Sequence, residues 1–281
     1  MSTTAPETAR AARPAPGRRT TNAARSSRYS PATALRDVSA MTDRELRRTL
    51  RSVDGLVTAL MLPVLIMLVF VVVFGGAIED DGSYVDYVVP GILVLCLGFG
   101  SATAALSVAQ DMTSGTINRF KTLPIFGPSV LWAHVLASTV RNLVSATLVL
   151  LVAVALGFSP GTDLGGWVGV AGYLALMVLA FTWLSCLAGL VLSVDAAASF
   201  NMFFLFVPYL SSGFVQVETM PTWLHGFAAH QPFTPIIETL RALLSGTSTA
   251  GSLVPAIAWL VGMFAVSCAL ASVLYRRRTA H

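Results

Sequence analysis

The chain has 281 residues, of which 55% are hydrophobic and only 11% are Asp, Glu, Lys or Arg. A soluble domain carries about 25% charged residues, so this composition excludes an ordinary soluble enzyme or binding module. The net charge of +4 does not indicate nucleic-acid binding, because the basic residues are confined to one end and a few loops. The 3 cysteines lie inside apolar runs without CxxC spacing, which argues against a disulfide framework or a metal site.

Residues 1–34 are predicted to form a disordered, basic cytoplasmic tail. They are rich in Ala, Arg, Ser, Thr and Pro and show no apolar periodicity, which is typical of disordered segments. An organelle transit peptide has a similar basic, acid-poor composition and is the alternative interpretation.

A short amphipathic helix is predicted to follow the tail. Thr42 and Glu45 have the spacing of a capping box, so we expect the helix to begin there. A helix with one apolar face and many arginines lies at a membrane surface, although a solvated lead-in to the first span is the alternative. The residues that we expect to contact the membrane interface are Leu46, Arg47, Arg48 and Leu50.

Six apolar runs are long enough to cross a bilayer, for which about 20 residues are needed. We place these spans at about 55–77, 87–110, 130–158, 166–192, 196–216 and 252–275. Together they predict an all-α transmembrane domain over residues 35–278, followed by a short C-terminal tail, 279–281.

The placement of charge predicts the topology of these spans. The loop after the first span is acidic and has no basic residue, whereas the loop after the second span contains Arg119 and Lys121. The sixth span ends in three arginines, 276–278. By the positive-inside rule, both termini and the loop after the second span are cytoplasmic.

The loop between the second and third spans is predicted to contain a short helix. Residues 116–123 can form about two helical turns, and Pro124 ends them. Such a helix is suited to transmitting motion from a soluble partner to the helix bundle. An ordinary basic loop that sets the topology is an equal alternative. The residues concerned are Gly115, Thr116, Arg119, Phe120, Lys121, Leu123 and Pro124.

Three side chains within the spans are candidates for a translocation path. Arg141 lies in the third span, and we favour a structural interpretation in which it snorkels to the cytoplasmic boundary over a role in the path. Asn201 and Phe204 lie in the fifth span, where an apolar conduit and simple packing are both consistent with the pattern.

The segment 217–251 is too polar and too rich in proline to face lipid, yet it contains two helical patterns. Pro221 suits the first turn of a helix, Pro232 and Pro235 interrupt the pattern, and a second helix follows over residues 236–244. We predict a re-entrant helical hairpin on the outer side, buried against protein because irregular backbone is not tolerated in lipid.

No energy source or catalytic site is visible in the sequence. Lys121 is the single lysine and follows Phe120, so there is no Gly-Lys-Ser/Thr step to hold nucleotide phosphates. The acidic residues lie in loops or at helix ends, whereas ion-driven carriers usually place an ionisable group within the bilayer. Histidines are scattered without a zinc-protease motif. Transport by this chain would therefore need another subunit to supply the energy.

Six motifs along the chain form a recognisable set. They are Leu62-Pro63 through Val73-Phe74-Gly75-Gly76-Ala77, Ser114-Gly115-Thr116 through Lys121-Thr122-Leu123-Pro124-Ile125, Ser212-Gly213-Phe214, Met220-Pro221-Thr222-Trp223-Leu224, Gln231-Pro232-Phe233-Thr234 and Glu238-Thr239-Leu240-Arg241. Together they resemble the permease subunits of type-2 ATP-binding-cassette (ABC) exporters, and the first of them resembles the daunorubicin-resistance branch of bacterial drug exporters. The similarity covers about residues 35–278.

The resemblance implies a plasma-membrane complex in which two six-span permeases, here a homodimer, pair with two ATPase subunits. Mg-ATP binds to the ATPases, and no cofactor binds to this chain. The interfacial helix and the loop helix, with Arg119 and Lys121 as contacts, pass ATP-driven motion to the bundle. The hairpin contributes to an extracellular gate, for which the candidates are Met220, Pro221, Trp223, Leu224, Pro232, Glu238 and Arg241.

The predicted function is export of a hydrophobic or amphipathic small molecule, such as an antibiotic or a lipid-like metabolite. A lipid or polysaccharide exporter permease of the same family is the first alternative. A membrane enzyme or assembly factor that transports nothing is the second. The i, i+3 spacing of Glu238 and Arg241 further predicts an ion pair across one helical turn, which either braces the hairpin or moves with the gate.

Overall fold

The computed structural model describes residues 36, 38–43, 53–74, 83–114 and 129–279. The tail, the interfacial candidates Leu46, Arg47, Arg48 and Leu50, and the loop-helix candidates from Gly115 to Pro124 lie outside the described residues. The predicted capping box, in which the helix begins at Thr42, is wrong, because Thr42 already lies inside helical residues 38–43. Its hydroxyl donates to the Val38 carbonyl at 2.8 Å, as Thr does in a helix interior.

The described chain is helical, and we number its α-helices in order. They are α1 (Val53–Leu68, continued by a π-helical turn Val69–Phe74), α2 (Ser83–Thr113), α3 (Ser129–Ala155), α4 (Leu164–Val191), α5 (Val194–Ser199), α6 (Asn201–Phe206), α7 (Thr222–His230), α8 (Phe233–Ser245) and α9 (Leu253–Thr279). Single 3-10 turns occupy Val207–Leu210 and Val217–Thr219.

Helix α2 is the centre of the bundle. Six consecutive residues, 92–97, are each at most 1% exposed, and six positions cover the whole circumference of a helix. The helix is apolar all round, which is typical of a helix buried on every side. Helices α1, α3, α4, α6 and α8 pack around it, so α2 contacts nearly every element that carries a candidate site residue.

Four described helices are long and apolar enough to cross a membrane, with windows at Tyr84–Thr113, Leu131–Ala155, Leu164–Val191 and Leu253–Tyr275. They correspond to the second, third, fourth and sixth predicted spans. In the region of the first span, the described side chains include a shorter apolar stretch, Met61–Val72.

The fifth predicted span, 196–216, is not one helix. Short helices α5 and α6 are followed by a 3-10 turn with Pro208 near its start, and helical structure ends at Leu210. Proline lacks the amide hydrogen that a continuing helix needs. The apolar composition therefore predicted the location of this segment but not its continuity.

Both helices of the predicted hairpin are present as α7 and α8. Pro221 precedes α7 and Pro232 precedes α8. The predicted interruption at Pro235 is wrong, because α8 begins at Phe233 and Pro235 lies in its first turn, where proline is tolerated. Helix α8 buries a single face made by Phe233, Ile236, Ile237, Leu240 and Leu244. This i, i+3, i+4, i+7 spacing is that of an amphipathic helix, and it seats α8 against α2, α4 and α9.

Candidate functional site

Polar side chains of neighbouring elements hold the central helix α2 at three places along its length. Tyr87 lies near its start, Gly100 and Thr103 near its middle, and Asp111 near its end. At a rise of 1.5 Å per residue, Tyr87 and Asp111 are separated by about 36 Å. We call these places the Tyr87 anchor, the mid-helix anchor and the Asp111 anchor.

The Tyr87 anchor is built around Arg241 of α8, which is 17% exposed. Its Nη2 donates to the Ser212 carbonyl at 2.8 Å and to the Tyr87 carbonyl at 3.2 Å. Its guanidinium carbon lies 3.9 Å from the centroid of the Tyr87 ring, a cation–π contact. The Tyr87 hydroxyl also donates to the Ser212 carbonyl at 3.0 Å. Arg241 thereby ties the hairpin to α2 and to the turn after Leu210.

Glu238 completes this anchor by accepting a 2.7 Å bond from Nη1 of Arg241, so the predicted i, i+3 pair is formed. Gly91 permits the close approach that the anchor requires, because a β-carbon at Gly91 would clash with the carbonyl of Gly213. The turn containing Ser212 and Gly213 therefore rests directly on the backbone of α2.

An aromatic stack joins the first helix to the same region. The Phe214 ring stacks on Phe70 at 4.4 Å and on Tyr209 at 4.6 Å between centroids. Phe70 belongs to the π-helical turn that continues α1, and π turns occur frequently at functional sites. The stack makes the position of α1 depend on the turn that Arg241 holds.

The mid-helix anchor is a polar network shared by α2, α3 and α4. Nη2 of Arg141 donates to the Gly100 carbonyl at 2.8 Å and lies 2.6 Å from Oγ1 of Thr103 and 3.3 Å from Oγ of Ser138. Thr182 of α4 extends the network, with its hydroxyl 3.3 Å from that of Ser138. Interhelical hydrogen bonds of this kind hold membrane helices together.

Asn142 packs beside Arg141 on the same helix. Its side chain is 1% exposed and donates to the Ser138 carbonyl at 2.9 Å. The amide fits because Gly100 has no side chain, since a β-carbon there would overlap the Asn142 amide oxygen. The glycine thus admits two polar side chains of α3 to the centre of the bundle.

Arg141 hydrogen-bonds to the central helix α2, and its snorkelling to the cytoplasmic boundary stays a prediction. The residue lies about 18 Å along α3 from Ser129, close to the middle of the helix, and is half-buried. Its guanidinium bonds across to the midpoint of α2. The carbonyl of Gly100 and the two hydroxyls stabilise it where it lies.

The Asp111 anchor is a hydrogen-bonding contact between two side chains at the other end of α2. Nε2 of His134 lies 3.0 Å from Oδ2 of Asp111, and the two side chains are 7% and 18% exposed. The sequence did not predict this pair, because 23 positions separate its members. It joins the end of α2 to the beginning of α3, on either side of the segment that contains the loop-helix candidates.

The two path candidates from the fifth span occupy different environments. Phe204 is 1% exposed and packs against Phe181 and Phe233 at 5.1 and 6.5 Å between ring centroids. Its ring lies where a side chain at residue 98 would otherwise be. Asn201 is half-buried at the start of α6. Phe204 therefore fills the core of the described chain.

The remaining gate candidates lie on and around α7. Trp223 is 79% exposed, whereas Leu224 is half-buried and donates its backbone amide to the Pro221 carbonyl at 2.8 Å. The Met220 carbonyl accepts a 2.6 Å bond from Nε2 of His225. Pro221 is exposed, while Met220 and Pro232 are half-buried.

The sequence did not predict that the polar residues of the mid-helix anchor contact one another, although it shows the polar face of α3 that contributes to the network. Ser138, Asn142 and Ser145 are buried polar residues at i, i+4 and i+7 in an otherwise apolar helix, which places them on one face. Their partners on α2 and α4 are single serines and threonines with no pattern of their own. Only packing shows that these residues meet.

Comparisons with known proteins identify the family to which the sequence is similar. A family model described as ABC-2 type transporter matches residues 36–245, a range that includes all three anchors. The daunorubicin resistance ABC transporter permease protein DrrB1 of Streptomyces coeruleorubidus is 28% identical over 232 residues, covering 80% of this chain and 81% of that protein. The Probable doxorubicin resistance ABC transporter permease protein DrrC of Mycobacterium tuberculosis is 27% identical over 251 residues, covering 85% and 88% respectively.

Proposed function

The chain belongs to the ABC-2 type transporter family, and from this premise we propose that it is the permease subunit of a drug exporter. It moves a hydrophobic or amphipathic small molecule, such as an antibiotic, out of the cell. The observation that carries the proposal is the match over most of the chain to permeases named for daunorubicin and doxorubicin resistance.

The energy for transport comes from a separate ABC ATPase subunit, which is present in two copies and binds Mg-ATP. A second copy of the permease completes the complex in the plasma membrane. Support comes from the family and from the sequence, which has one lysine and no Gly-Lys-Ser/Thr step. We assign this chain no hydrolytic activity and no cofactor of its own.

The membrane topology that we propose has six crossings with both termini in the cytoplasm. Helix α1 with its π turn is the first crossing, and the broken α5–α6 segment is the fifth. Helices α7 and α8 form the re-entrant hairpin on the outer side. The positive-inside distribution of arginines supports this orientation, and it places the Tyr87 anchor near the outside and the Asp111 anchor near the cytoplasm.

Two segments transmit the motion of the ATPases. One is the interfacial helix with Leu46, Arg47, Arg48 and Leu50, and the other is the loop helix from Gly115 to Pro124. The Asp111–His134 pair supports the second assignment, because it joins the two helices from which that loop departs. Replacing Arg119 and Lys121 with glutamate should weaken binding of the ATPase; unchanged binding and transport would remove the assignment.

The Tyr87 anchor and the aromatic stack are proposed to form the outer gate. Arg241 connects the hairpin, the turn at Ser212 and the start of α2, so these elements move together. The Phe70–Phe214 stack adds α1 to the same group. Met220, Pro221, Trp223, Leu224 and Pro232 border this region on the hairpin. Asn201 and Arg141 remain candidates for the path that leads to it.

Reconstitution tests the exporter proposal directly. The permease is purified with the ABC ATPase that accompanies it, placed in proteoliposomes and supplied with Mg-ATP, and daunorubicin movement is followed by its fluorescence. We expect ATP-dependent transport that disappears when the ATPase lacks its P-loop lysine. Failure of any ABC ATPase to copurify, together with no ATP-dependent flux, would refute the proposal.

A further inference from the structure

The hairpin helix α8 is held against two neighbouring helices by polar contacts. Arg241 attaches it to α2. A single hydrogen bond between residues that the structure describes joins it to α4, in which the Tyr173 hydroxyl donates to the Ile236 carbonyl at 3.0 Å. Helices α4 and α8 also pack through apolar side chains, such as Phe181 and Phe233, whose ring centroids are 5.7 Å apart. The Tyr173 bond is therefore the polar attachment of the hairpin to α4.

Thr239 places an unsatisfied hydroxyl next to this bond. It follows Ile236 by three residues on α8, and both residues are 0% exposed. Positions i and i+3 are neighbours on a helix surface, and the Thr239 side chain lies close enough to the Tyr173 hydroxyl to interact with it electrostatically. Within the described part of the chain, however, Oγ1 of Thr239 has no hydrogen-bond partner. Most buried polar atoms have a partner, so this hydroxyl needs an explanation.

The three groups can form a second arrangement in which each of them is bonded. In that arrangement, the Tyr173 hydroxyl donates to Oγ1 of Thr239 instead of to the Ile236 carbonyl. The Thr239 hydroxyl then donates to that carbonyl, since threonine within a helix can bond the carbonyl three or four residues before it. Both acceptors lie within one turn of α8, so the exchange needs a shift between α4 and α8 of less than about 5.4 Å.

We propose that Tyr173 is a positioning residue for transport, whose hydroxyl bonds the Ile236 carbonyl in this structure and Thr239 when α8 moves during the transport cycle. Arg241 stays bonded in both positions, so α8 pivots on its attachment to α2. A hydrogen bond that changes its acceptor gives two discrete positions, as contacts between packed elements do in switching proteins. This inference rests on the proposed exporter function and adds to it the side chain that sets the two positions of the hairpin.

Thr239→Val tests the second position, because valine keeps the branched shape of threonine and lacks its hydroxyl. Daunorubicin transport and ATP hydrolysis are measured for the permease–ATPase complex in proteoliposomes, and thermal unfolding of the same complex is measured in detergent. Thr239→Ser keeps the hydroxyl and tests for rescue. Thr147→Val is the matched control, since Thr147 is an exposed threonine of α3 whose hydroxyl bonds the Leu143 carbonyl of its own helix.

We expect Thr239→Val to unfold at the temperature of the wild type or slightly above it, because the variant removes an unsatisfied group. Transport and ATP hydrolysis should nevertheless fall about five-fold or more, since the second position loses a buried hydrogen bond and leaves the Tyr173 hydroxyl unpaired. Thr239→Ser should restore both activities. Thr147→Val should match the wild type in activity and in stability.

A double variant tests whether Thr239 acts through Tyr173. Tyr173→Phe should lower the unfolding temperature, because it removes the bond to the Ile236 carbonyl. Adding Thr239→Val to Tyr173→Phe should reduce transport no further, since the effects of two partners in one interaction are not additive.

Four results would overturn the inference. Wild-type activity of Thr239→Val would remove Thr239 as an acceptor, and an equal loss in Thr239→Ser would assign the effect to packing. A loss of stability in Thr239→Val as large as that in Tyr173→Phe would make the hydroxyl a structural group. A further loss of transport in the double variant would show that Thr239 acts independently of Tyr173.

The wild-type complex separates this inference from the proposed function. ATP hydrolysis without daunorubicin transport would contradict the drug substrate, while the effect of Thr239→Val on hydrolysis would still decide the role of Tyr173. A wild-type complex with neither activity would refute the exporter proposal and this inference with it.

Discussion

The Tyr87 anchor and the mid-helix anchor both attach an arginine to the central helix, yet the two arginines join different elements to it. Arg241 is paired with a carboxylate, stacked on Tyr87 and bonded to two backbone carbonyls. Arg141 donates to the Gly100 carbonyl and lies within hydrogen-bonding distance of the Thr103 and Ser138 hydroxyls. The first arginine therefore ties the hairpin and the Ser212 turn to α2, whereas the second ties α3 to the middle of α2.

The largest difference should appear when each arginine loses its charge. Arg241→Gln removes bonds to two other elements and leaves Glu238 without its partner, so we expect the free energy of unfolding to fall by about 2–4 kcal/mol. Arg141→Gln removes hydrogen bonds to Gly100 and Thr103 of α2, and we expect it to cost about 1 kcal/mol. Reversible unfolding in mixed micelles measures the free energy of unfolding of both variants. Equal losses of stability would contradict the difference that we draw between the two arginines.

Packing beneath the Tyr87 anchor predicts the next effect. In Gly91→Ala the new methyl group would clash with the Gly213 carbonyl, and we expect a loss of about 1–3 kcal/mol from the forced backbone shift. Gly262 in α9 is the matched control, since a β-carbon there meets no atom within 4 Å. Gly262→Ala should be neutral or gain up to about 1 kcal/mol from helix propensity.

A Gly91→Ala variant as stable as the wild type would contradict the close contact between α2 and the Ser212 turn. Transport should fall in parallel with stability in this variant, because the gate elements would be displaced from α2. Daunorubicin flux in proteoliposomes provides that second measurement.

The smallest predicted effect separates two buried serines. Ser138 and Ser212 are each 2% exposed, but the Ser138 hydroxyl lies within hydrogen-bonding distance of Arg141, Asn142 and Thr182. Within the described part of the chain, Oγ of Ser212 has no hydrogen-bond partner. Ser138→Ala should cost about 1 kcal/mol, while Ser212→Ala should be neutral or slightly stabilising because it removes an unsatisfied group.

Thermal unfolding of both variants in the same detergent decides this comparison. A larger loss for Ser212→Ala than for Ser138→Ala would show that the network around Arg141 contributes no stability. A Ser138→Ala, Thr182→Val double variant then tests coupling, because partners in one network are not additive.

Much of the fold was determined by local sequence. Long apolar runs predict α2, α3, α4 and α9 to within a few residues, because only a helix satisfies its backbone over such lengths in lipid. Pro221 and Pro232 predict the boundaries before α7 and α8, since proline fixes the backbone and lacks a donor, whereas Pro235 was wrongly expected to interrupt α8. The i, i+3 spacing of Glu238 and Arg241 likewise predicts their pair.

Tertiary packing alone decided the rest. All apolar helices give the same hydropathy pattern, whatever their position in a bundle. The sequence therefore could not show that α2 is central or that the fifth apolar run is broken near Phe200. Arg241 meets Tyr87 across 154 positions, and Arg141 meets Gly100 across 41. Such contacts depend on which helix faces approach each other, because the hydrogen bonds of a half-buried arginine are made by its neighbours in space.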